Sequence, residues 1–295
     1  MRLLLAAAMA LALGGGAQAA PVGMVDDPCP PPAAPDPLGK EMSEALVADA
    51  PFPPALLAKL MDPARGAAAE KAKAEQAARD WADLCRYRAA NVAALNAKNG
   101  GVEAVFIGDS ITELWMVADP GFFSAARVDR GISGQTSAQM LLRFHADVVA
   151  LKPKVVHILA GTNDVAGNLG PSRPDDFKNN IRAMAKISDA SGIAVVLGAI
   201  PPADRFLWRA GLKPAAQIGE LNAWLKGFAA SRGYVFADYH GAMATPEGAM
   251  RPAFSKDFVH PNRAGYGVMA PIAQAALDEA RRRGPRKAAL GGSWP

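Results

Sequence analysis

The sequence predicts an α/β protein, a three-layer α/β/α sandwich around a central five-stranded parallel sheet. Short apolar runs alternate with helical patterns through residues 101–283, and alternation with crossovers of this length is typical of a parallel sheet. The runs are nearly continuous in apolar residues, as expected when helices cover both faces. Strands are expected at Val102–Ile107, Ala126–Asp129, Val155–Ala160, Ala194–Ile200 and Tyr234–Asp238. Helices are expected near residues 111–116, 136–150, 175–191, 215–231 and 263–283.

The first 19 residues indicate a secretory signal. Arg2 precedes an apolar run, and small residues before the predicted cleavage after Ala19 complete the pattern. The run is too short to remain as a membrane anchor. We therefore expect an exported protein, periplasmic or extracellular, with no integral membrane segment after cleavage.

Three other segments flank the predicted domain. Residues 20–63 are rich in proline and are expected to form an extended arm or linker. Residues 64–100 are alanine-rich and predict a helix that packs on the domain. Its apolar stripe is expected to comprise Trp81, Leu84, Cys85, Arg88, Val92 and Leu95. Residues 284–295 are expected to be a flexible basic tail, with a solvated end favoured over a binding role.

Charge and cysteine content exclude several classes of partner. The net charge is +4, but it becomes −2 once six basic residues at the two ends are set aside, so nucleic acid is not an expected partner. Two cysteines and four scattered histidines predict no metal site.

Cys29 and Cys85 are expected either to pair in an oxidising compartment or to be two unrelated thiols. The sequence does not indicate the oligomeric state.

Polar residues follow the strands, at the sheet edge where α/β proteins bind ligands. Ser110 comes directly after the first strand, where its hydroxyl is either a nucleophile or a plain helix N-cap. His260 follows the last strand and lies three residues after Asp257, which can orient its ring as a general base. The alternative is that Asp257 caps the last helix. Three other histidines are weaker candidates for the base, at the positions His145, His157 and His240.

Acyl transfer also needs hydrogen-bond donors for the developing oxyanion. The backbone N–H groups of Ser110 and Gly134 and the side-chain amide of Asn163 all follow strands. Each has an ordinary alternative, since Gly134 and Asn163 are also residue types that favour turns. Four segments that each supply one required part favour the catalytic interpretation.

Substrate contacts are expected near the same edge. The loop of residues 201–214 follows the fourth strand and contains Arg205 and Trp208, which can form a sugar platform or bind an anionic group. A surface loop anchored by its aromatic residues is the alternative. Asp109, next to the candidate nucleophile, is also placed among the substrate-binding residues.

These motifs resemble the SGNH hydrolase superfamily, also called the GDSL esterase/lipase family. The matching blocks are Gly108-Asp109-Ser110, Gly131-Ile132-Ser133-Gly134, Gly161-Thr162-Asn163-Asp164 and Asp257-Phe258-Val259-His260. The stretch from Arg130 to Thr136 is similar to the platelet-activating-factor acetylhydrolase-like and lysophospholipase-like esterase branch. Ile111 stands where the family name has leucine, an apolar exchange that should not disturb the chemistry. The resemblance covers residues 101–280.

The resemblance implies a flavodoxin-like SGNH fold and a serine esterase that needs no cofactor. It assigns Ser110 as nucleophile, His260 as base, Asp257 as its partner, and Ser110, Gly134 and Asn163 as oxyanion donors. The expected partner is a small-molecule ester with a short acyl or acetyl group. Two alternatives stay open, a glycan O-acetylesterase and a non-catalytic glycan-binding module. A phosphate-binding role is weaker, because no glycine-rich phosphate loop follows the first strand.

Overall fold

The computed structural model describes residues 23–31, 36–60, 62–97 and 101–286. Its centre is a five-stranded, fully parallel sheet with the strand order β2-β1-β3-β4-β5. The strands are β1 (Ala104–Gly108), β2 (Arg127–Gly131), β3 (Val155–Leu159), β4 (Ala194–Gly198) and β5 (Val235–Ala237). The predicted three-layer fold is therefore confirmed, with strand ends that differ from the expected ones by at most two residues.

Eleven α-helices accompany the sheet in the described residues. Those before it are α1 (Pro37–Val47), α2 (Pro54–Leu60), α3 (Pro63–Arg79) and α4 (Arg88–Asn96). Those within the domain are α5 (Ser110–Ala118), α6 (Ser137–Asp147), α7 (Thr162–Val165), α8 (Pro174–Ala190), α9 (Ala215–Arg232), α10 (Tyr239–Met243) and α11 (Arg263–Arg283). The last helix has the bounds that the sequence predicts.

Helices cover both faces of the sheet, which explains the uninterrupted apolar strands. Because side chains alternate along a strand, Val105 and Ile107 of β1 enter the core shared with α6, α8 and α9. Ala104 and Phe106 enter the opposite core, shared with α5 and α11. All four side chains are fully buried.

The carboxyl ends of β1 and β2 lie side by side, and α5 begins directly against them. Gly108 pairs with Gly131 in the sheet register. A Cβ atom at Gly131 would lie 2.2 Å from the backbone nitrogen of Glu113 and 2.8 Å from the carbonyl oxygen of Asp109. Glycine is therefore required at this position, because only it permits so close an approach of strand to helix.

The proline-rich segment is partly helical, which corrects the expected extended arm over residues 20–63. The carboxylate of Asp36 accepts the N–H of Leu38 at 3.1 Å and caps α1, while Pro37 occupies its first position. An aspartate followed by proline is a favourable helix start. Val47 at the end of α1 is fully buried in the domain core, so this part of the segment belongs to the fold.

The expected continuous helix over residues 64–100 is also corrected. The carboxylate of Asp80 accepts the N–H groups of Leu84 and Cys85, both at 2.9 Å, which closes a turn between α3 and α4. This turn breaks the helical register, so the predicted apolar stripe does not form. Four of its members are 41–54% exposed, namely Trp81, Leu84, Val92 and Leu95.

The chain divides into two units, residues 1–34 and 35–295. In the first unit the backbone N–H of Cys29 donates to the carboxylate of Asp27 at 3.0 Å. Cys29 and Cys85 are both disulfide-bonded, and neither described cysteine is free. The expected signal over residues 1–19 and the tail beyond residue 286 lie outside the described residues.

No helix among the described residues is long and apolar enough to cross a membrane. In the same parts of the chain, no group of three or more histidine, cysteine, aspartate or glutamate side chains is arranged to hold a metal ion.

Candidate active site

Ser110 is the first residue of α5, directly beyond the carboxyl end of β1. The helix cap is its neighbour Asp109, whose carboxylate accepts the N–H of Ile111 at 2.9 Å. The hydroxyl of Ser110 is instead hydrogen-bonded to Nε2 of His260, at 2.9 Å. The alternative that Ser110 is the N-cap is therefore wrong.

His260 and Asp257 form a compact turn before α11. Nδ1 of His260 lies 2.6 Å from Oδ2 of Asp257. The other carboxylate oxygen, Oδ1, accepts the N–H groups of Val259 at 3.1 Å and His260 at 2.8 Å, and the hydroxyl of Ser255 at 3.1 Å. Both carboxylate oxygens are thereby fixed, and one of them faces the imidazole.

Asp257 does not cap the last helix. That position belongs to Asn262, whose side-chain oxygen accepts the N–H of Gly265 at 2.9 Å. The alternative that Asp257 caps the last helix is therefore wrong, and its carboxylate is instead bonded to the imidazole of His260.

The two groups shift each other's pKa in opposite directions. Burial alone lowers the pKa of His260, but the charge of Asp257 and its hydrogen bond outweigh burial, so the pKa lies above 6.5. Burial alone raises the pKa of Asp257, but the charge of His260 and the bonds to the carboxylate lower it to about 2. The pair is therefore suited to hold a proton on the ring.

Asp109 is buried under the site and does not face substrate space. Its side chain is 1% exposed. One oxygen caps α5, and the other accepts from Nδ2 of Asn163 at 3.2 Å. Burial raises the pKa of Asp109 to about 6. The expectation that Asp109 contacts substrate is corrected, since both oxygens are occupied within the protein.

The four predicted motif segments meet in one hydrogen-bonded network. Ser110 joins His260, and Asp109 joins Asn163. Nδ2 of Asn163 also donates to the carbonyl oxygen of Gln135 at 3.0 Å, next to Gly134. Gly134 has a φ of +80°, a conformation that glycine adopts without strain. The predicted convergence of segments at the sheet edge is therefore present.

Trp208 lies beside the histidine, with its ring centroid 6.4 Å from that of His260 and the planes inclined by 30°. It stacks on Phe206 at 5.1 Å and is 41% exposed. Its Nε1–H donates to Oδ1 of Asn168 at 3.0 Å. A flat indole face is thus held next to the imidazole.

Arg205 lies in the same loop but makes no described contact with Ser110 or His260. Its guanidinium pairs with Asp204 at 2.6 Å and lies 4.5 Å from the centroid of the Phe258 ring. Phe258 is the residue after Asp257 and has a φ of +70°. Arg205 therefore borders the histidine turn through this aromatic ring.

Asn168 and Gln135 are components of the site that the sequence analysis does not single out. Nδ2 of Asn168 donates to Oδ1 of Asn163 at 2.6 Å, while its own oxygen accepts from Trp208. Gln135 accepts from Asn163 through its main chain. Neither residue has a sequence signal, because each acts through a contact that depends on loop geometry.

His157 is a core residue, as its position within a strand predicts. Its ring stacks on Phe106 at 4.5 Å, and its Nε2 lies 2.7 Å from the hydroxyl of Tyr239. Burial lowers the pKa of His157 to about 3, so the ring stays neutral. It has no part in the candidate site.

Comparison with known proteins shows which family this chain is similar to. A family model described as the GDSL-like lipase/acylhydrolase family matches residues 106–268. A Bacteroides fragilis protein assigned as an acylhydrolase is 40% identical, with a TM-score of 0.66 over 69% of this chain and 99% of its own. A GDSL-like lipase from Bacteroides thetaiotaomicron is 38% identical, with a TM-score of 0.65 over 68% of this chain and 100% of its own.

A more distant likeness extends to the fold alone. A Streptococcus pneumonia protein assigned as a platelet activating factor is 20% identical, with a TM-score of 0.58 over 70% of this chain and 99% of its own. No curated protein matches the chain.

Proposed function

Because the chain belongs to the GDSL-like lipase/acylhydrolase family, we propose that it is a serine esterase that cleaves short-acyl carboxylic esters through an acyl-enzyme. Ser110 is the proposed nucleophile, His260 the base and Asp257 its partner. The observation that carries the proposal is the continuous chain of bonds from Ser110 Oγ to His260 Nε2, at 2.9 Å, and from His260 Nδ1 to Asp257, at 2.6 Å. This is the geometry that activates a serine hydroxyl.

The proposed reaction has two steps. His260 takes the proton of Ser110 as its oxygen attacks the ester carbonyl carbon, and then gives that proton to the departing alcohol. Water, deprotonated by the same ring, attacks the acyl carbon of the acyl-enzyme; the bond to Ser110 Oγ breaks, the acid leaves, and the ring returns the proton to Ser110 Oγ. In both steps the Asp257 carboxylate stabilises the imidazolium that forms.

The proposed oxyanion donors are the N–H groups of Ser110 and Gly134 and the Asn163 amide. In the free site the amide donates to Gln135 at 3.0 Å and to Asp109 at 3.2 Å. Binding the oxyanion requires the amide to exchange one of these two bonds for a bond to the substrate oxygen. Each such donor contributes about 10²–10³ in rate.

A second candidate within this chemistry is a glycan O-acetylesterase. The exposed face of Trp208 beside His260 supports it, because a sugar ring packs well on an indole and its acetyl group would then reach Ser110. A panel of acetylated sugars, aryl esters of rising chain length and lysophospholipids separates the two candidates. Preference for acetylated sugars would favour the second, and preference for simple aryl acetates the first.

We also propose that the protein is exported, with cleavage after Ala19. The support is the sequence pattern of the first 19 residues. N-terminal sequencing of the mature protein tests the cleavage site.

The decisive experiment compares Ser110→Ala with the wild type on an aryl acetate. We expect at least a 10³-fold loss of kcat/KM, together with loss of labelling by a fluorophosphonate. Ser231→Ala is a matched control, since this hydroxyl donates to the carbonyl of Phe228 within α9. A Ser110→Ala protein that retains most of the activity would refute the nucleophile, and a wild type that resists labelling would favour a non-catalytic binding module.

A further inference from the structure

The loop that carries Gly134 is held from outside by an earlier part of the chain. We call residues 131–135 the Gly134 loop and residues 81–87, in the turn between α3 and α4, the anchoring segment. The hydroxyl of Tyr87 donates to the carbonyl oxygen of Gly131. At the other end of the loop, Nε2 of Gln135 donates to the carbonyl oxygen of Ala82 at 2.8 Å.

A third attachment passes through Glu113 of α5. One of its carboxylate oxygens accepts both the N–H of Ser133, at 2.8 Å, and the hydroxyl of Ser133, at 2.5 Å. The other oxygen pairs with the guanidinium of Arg86 at 2.6 Å. The anchoring segment thus reaches the loop at its first, third and fifth residues.

Gly134 lies between the second and third of these attachments. It has no side chain that could make a restraining contact, and glycine restricts its own backbone less than any other residue, so its φ of +80° must be maintained by its neighbours. The direction of its N–H is therefore set by Ser133 and Gln135, which Glu113 and the anchoring segment hold.

Gln135 extends the restraint to the second proposed donor. Its carbonyl oxygen accepts the Asn163 amide at 3.0 Å, and its side-chain oxygen accepts Nε of Arg143 at 2.6 Å. Gln135 is 3% exposed and Arg143 is fully buried, so water does not compete for these bonds. The orientations of Gly134 and Asn163 are coupled through one residue.

Tyr87 is itself restrained. The guanidinium of Arg130 lies 4.8 Å from the centroid of its ring, and Nε of Arg130 donates to Oδ1 of Asn91 at 2.7 Å. Burial raises the pKa of Tyr87, so its hydroxyl keeps the proton that it donates to Gly131. The anchoring segment is therefore itself held in place by side-chain contacts with Arg130 and Asn91.

We propose that Tyr87, Arg86 and Glu113 are positioning residues that orient the oxyanion donors. This inference rests on the proposed esterase function. Tyr87 and Arg86 precede residue 106, where the family-model match begins, so this chain supports its site with residues outside the matched region. Misplacement of a catalytic group by about 1 Å can cost about 10²-fold in rate, which makes such support consequential.

The experiment measures kcat and KM on an aryl acetate for Tyr87→Phe, Glu113→Gln and the double variant. We expect kcat to fall about tenfold in each single variant and further in the double variant, with KM within about twofold of the wild type. Fluorophosphonate labelling should slow in parallel, because attack of Ser110 on phosphorus also builds negative charge on the phosphoryl oxygen, which occupies the oxyanion site.

Tyr234→Phe is the matched control. Its hydroxyl also donates to a buried acceptor, Asp189, at 2.7 Å, but the residue precedes β5 at the opposite edge of the sheet. For Tyr234→Phe we expect a drop in melting temperature similar to that of Tyr87→Phe, with kcat unchanged from the wild type. An unchanged kcat in Tyr87→Phe and Glu113→Gln, with Ser110→Ala inactive, would overturn the positioning role alone. An equal loss in Tyr234→Phe would overturn it too, whereas an active Ser110→Ala would refute the proposed function itself.

Discussion

Replacing Asp257 with asparagine tests the proposed catalytic chain most directly. Oδ1 of Asp257 accepts the backbone N–H groups of Val259 and His260. In Asp257→Asn the amide oxygen must stay at this position, because those N–H groups need an acceptor. The amide NH₂ then faces Nδ1 of His260 and donates to it. The ring proton is forced onto Nε2, which faces Ser110 and can no longer accept its proton.

The expected loss has two parts. The charge of His260 and the hydrogen bonds to the carboxylate outweigh burial and lower the pKa of Asp257, so the neutral amide of the variant loses the electrostatic stabilisation that the carboxylate gives to the imidazolium. The wrong tautomer adds to this loss, and the equivalent substitution in serine triads lowers kcat by about 10⁴-fold. We therefore expect a loss of about 10⁴-fold.

The pH dependence should change as well. In the wild type the charge of Asp257 holds the pKa of His260 above 6.5, so kcat/KM should fall as the pH drops through that raised pKa. Without the charge, burial dominates and lowers the pKa. The acidic limb of the residual activity should therefore move to lower pH.

The assay is kcat/KM on an aryl acetate from pH 4 to pH 9, with circular dichroism to confirm folding. A folded variant within about tenfold of the wild type at its pH optimum would refute the tautomer argument. An acidic limb at the wild-type pH would refute the electrostatic one.

Two further predictions concern other parts of the molecule. Trp208→Ala should raise KM for acetylated sugars several-fold and change KM for a small aryl acetate little, since the exposed ring borders the site without touching Ser110. If the variant and the wild type had equal KM values for the sugars, Trp208 would have no role in the pocket. Burial raises the pKa of Asp129 to about 7, so the folded state binds this proton more tightly and loses stability as the pH rises from about 4 to about 7. Each unit of difference between the folded-state and unfolded-state pKa corresponds to about 1.4 kcal/mol of unfolding free energy. Asp129→Asn removes this difference, so the stability of the variant should decline less as the pH rises. A variant whose melting temperature changes with pH in parallel with that of the wild type, from pH 4 to 8, would contradict this prediction.

The fold could be predicted because it depends on local sequence patterns. The apolar run before Ser110 and the strand that contains His157 are buried on both faces, and such runs identify parallel strands without knowledge of their neighbours. The site follows for a related reason, because the carboxyl ends of parallel strands share one edge. Ser110, Asn163 and His260 could therefore be predicted to converge there.

The parts that could not be predicted depend on contacts between distant side chains and backbone groups. The hydroxyl of Tyr87 reaches Gly131 across 44 positions, and Gln135 reaches Ala82 across 53. Neither contact imposes a periodicity on the sequence. The same holds for Asp80, whose carboxylate turns the chain after α3 and exposes the stripe that periodicity alone would bury. The start of α1 has a local sequence signal, since Asp36 followed by Pro37 is a favourable helix start, but the surrounding prolines favour an extended conformation.

The bond between Ser110 and His260 joins positions 150 residues apart. Helix α5, which begins at Ser110, is also bonded directly to α11, which follows His260, because the hydroxyl of Tyr266 in α11 donates to the carbonyl of Ile111 at 2.7 Å. During synthesis the serine leaves the ribosome long before the histidine does, and closing so long a loop is entropically costly until α11 docks. In the proposed mechanism the nucleophile therefore has no base until the chain has been made and folded as far as α11.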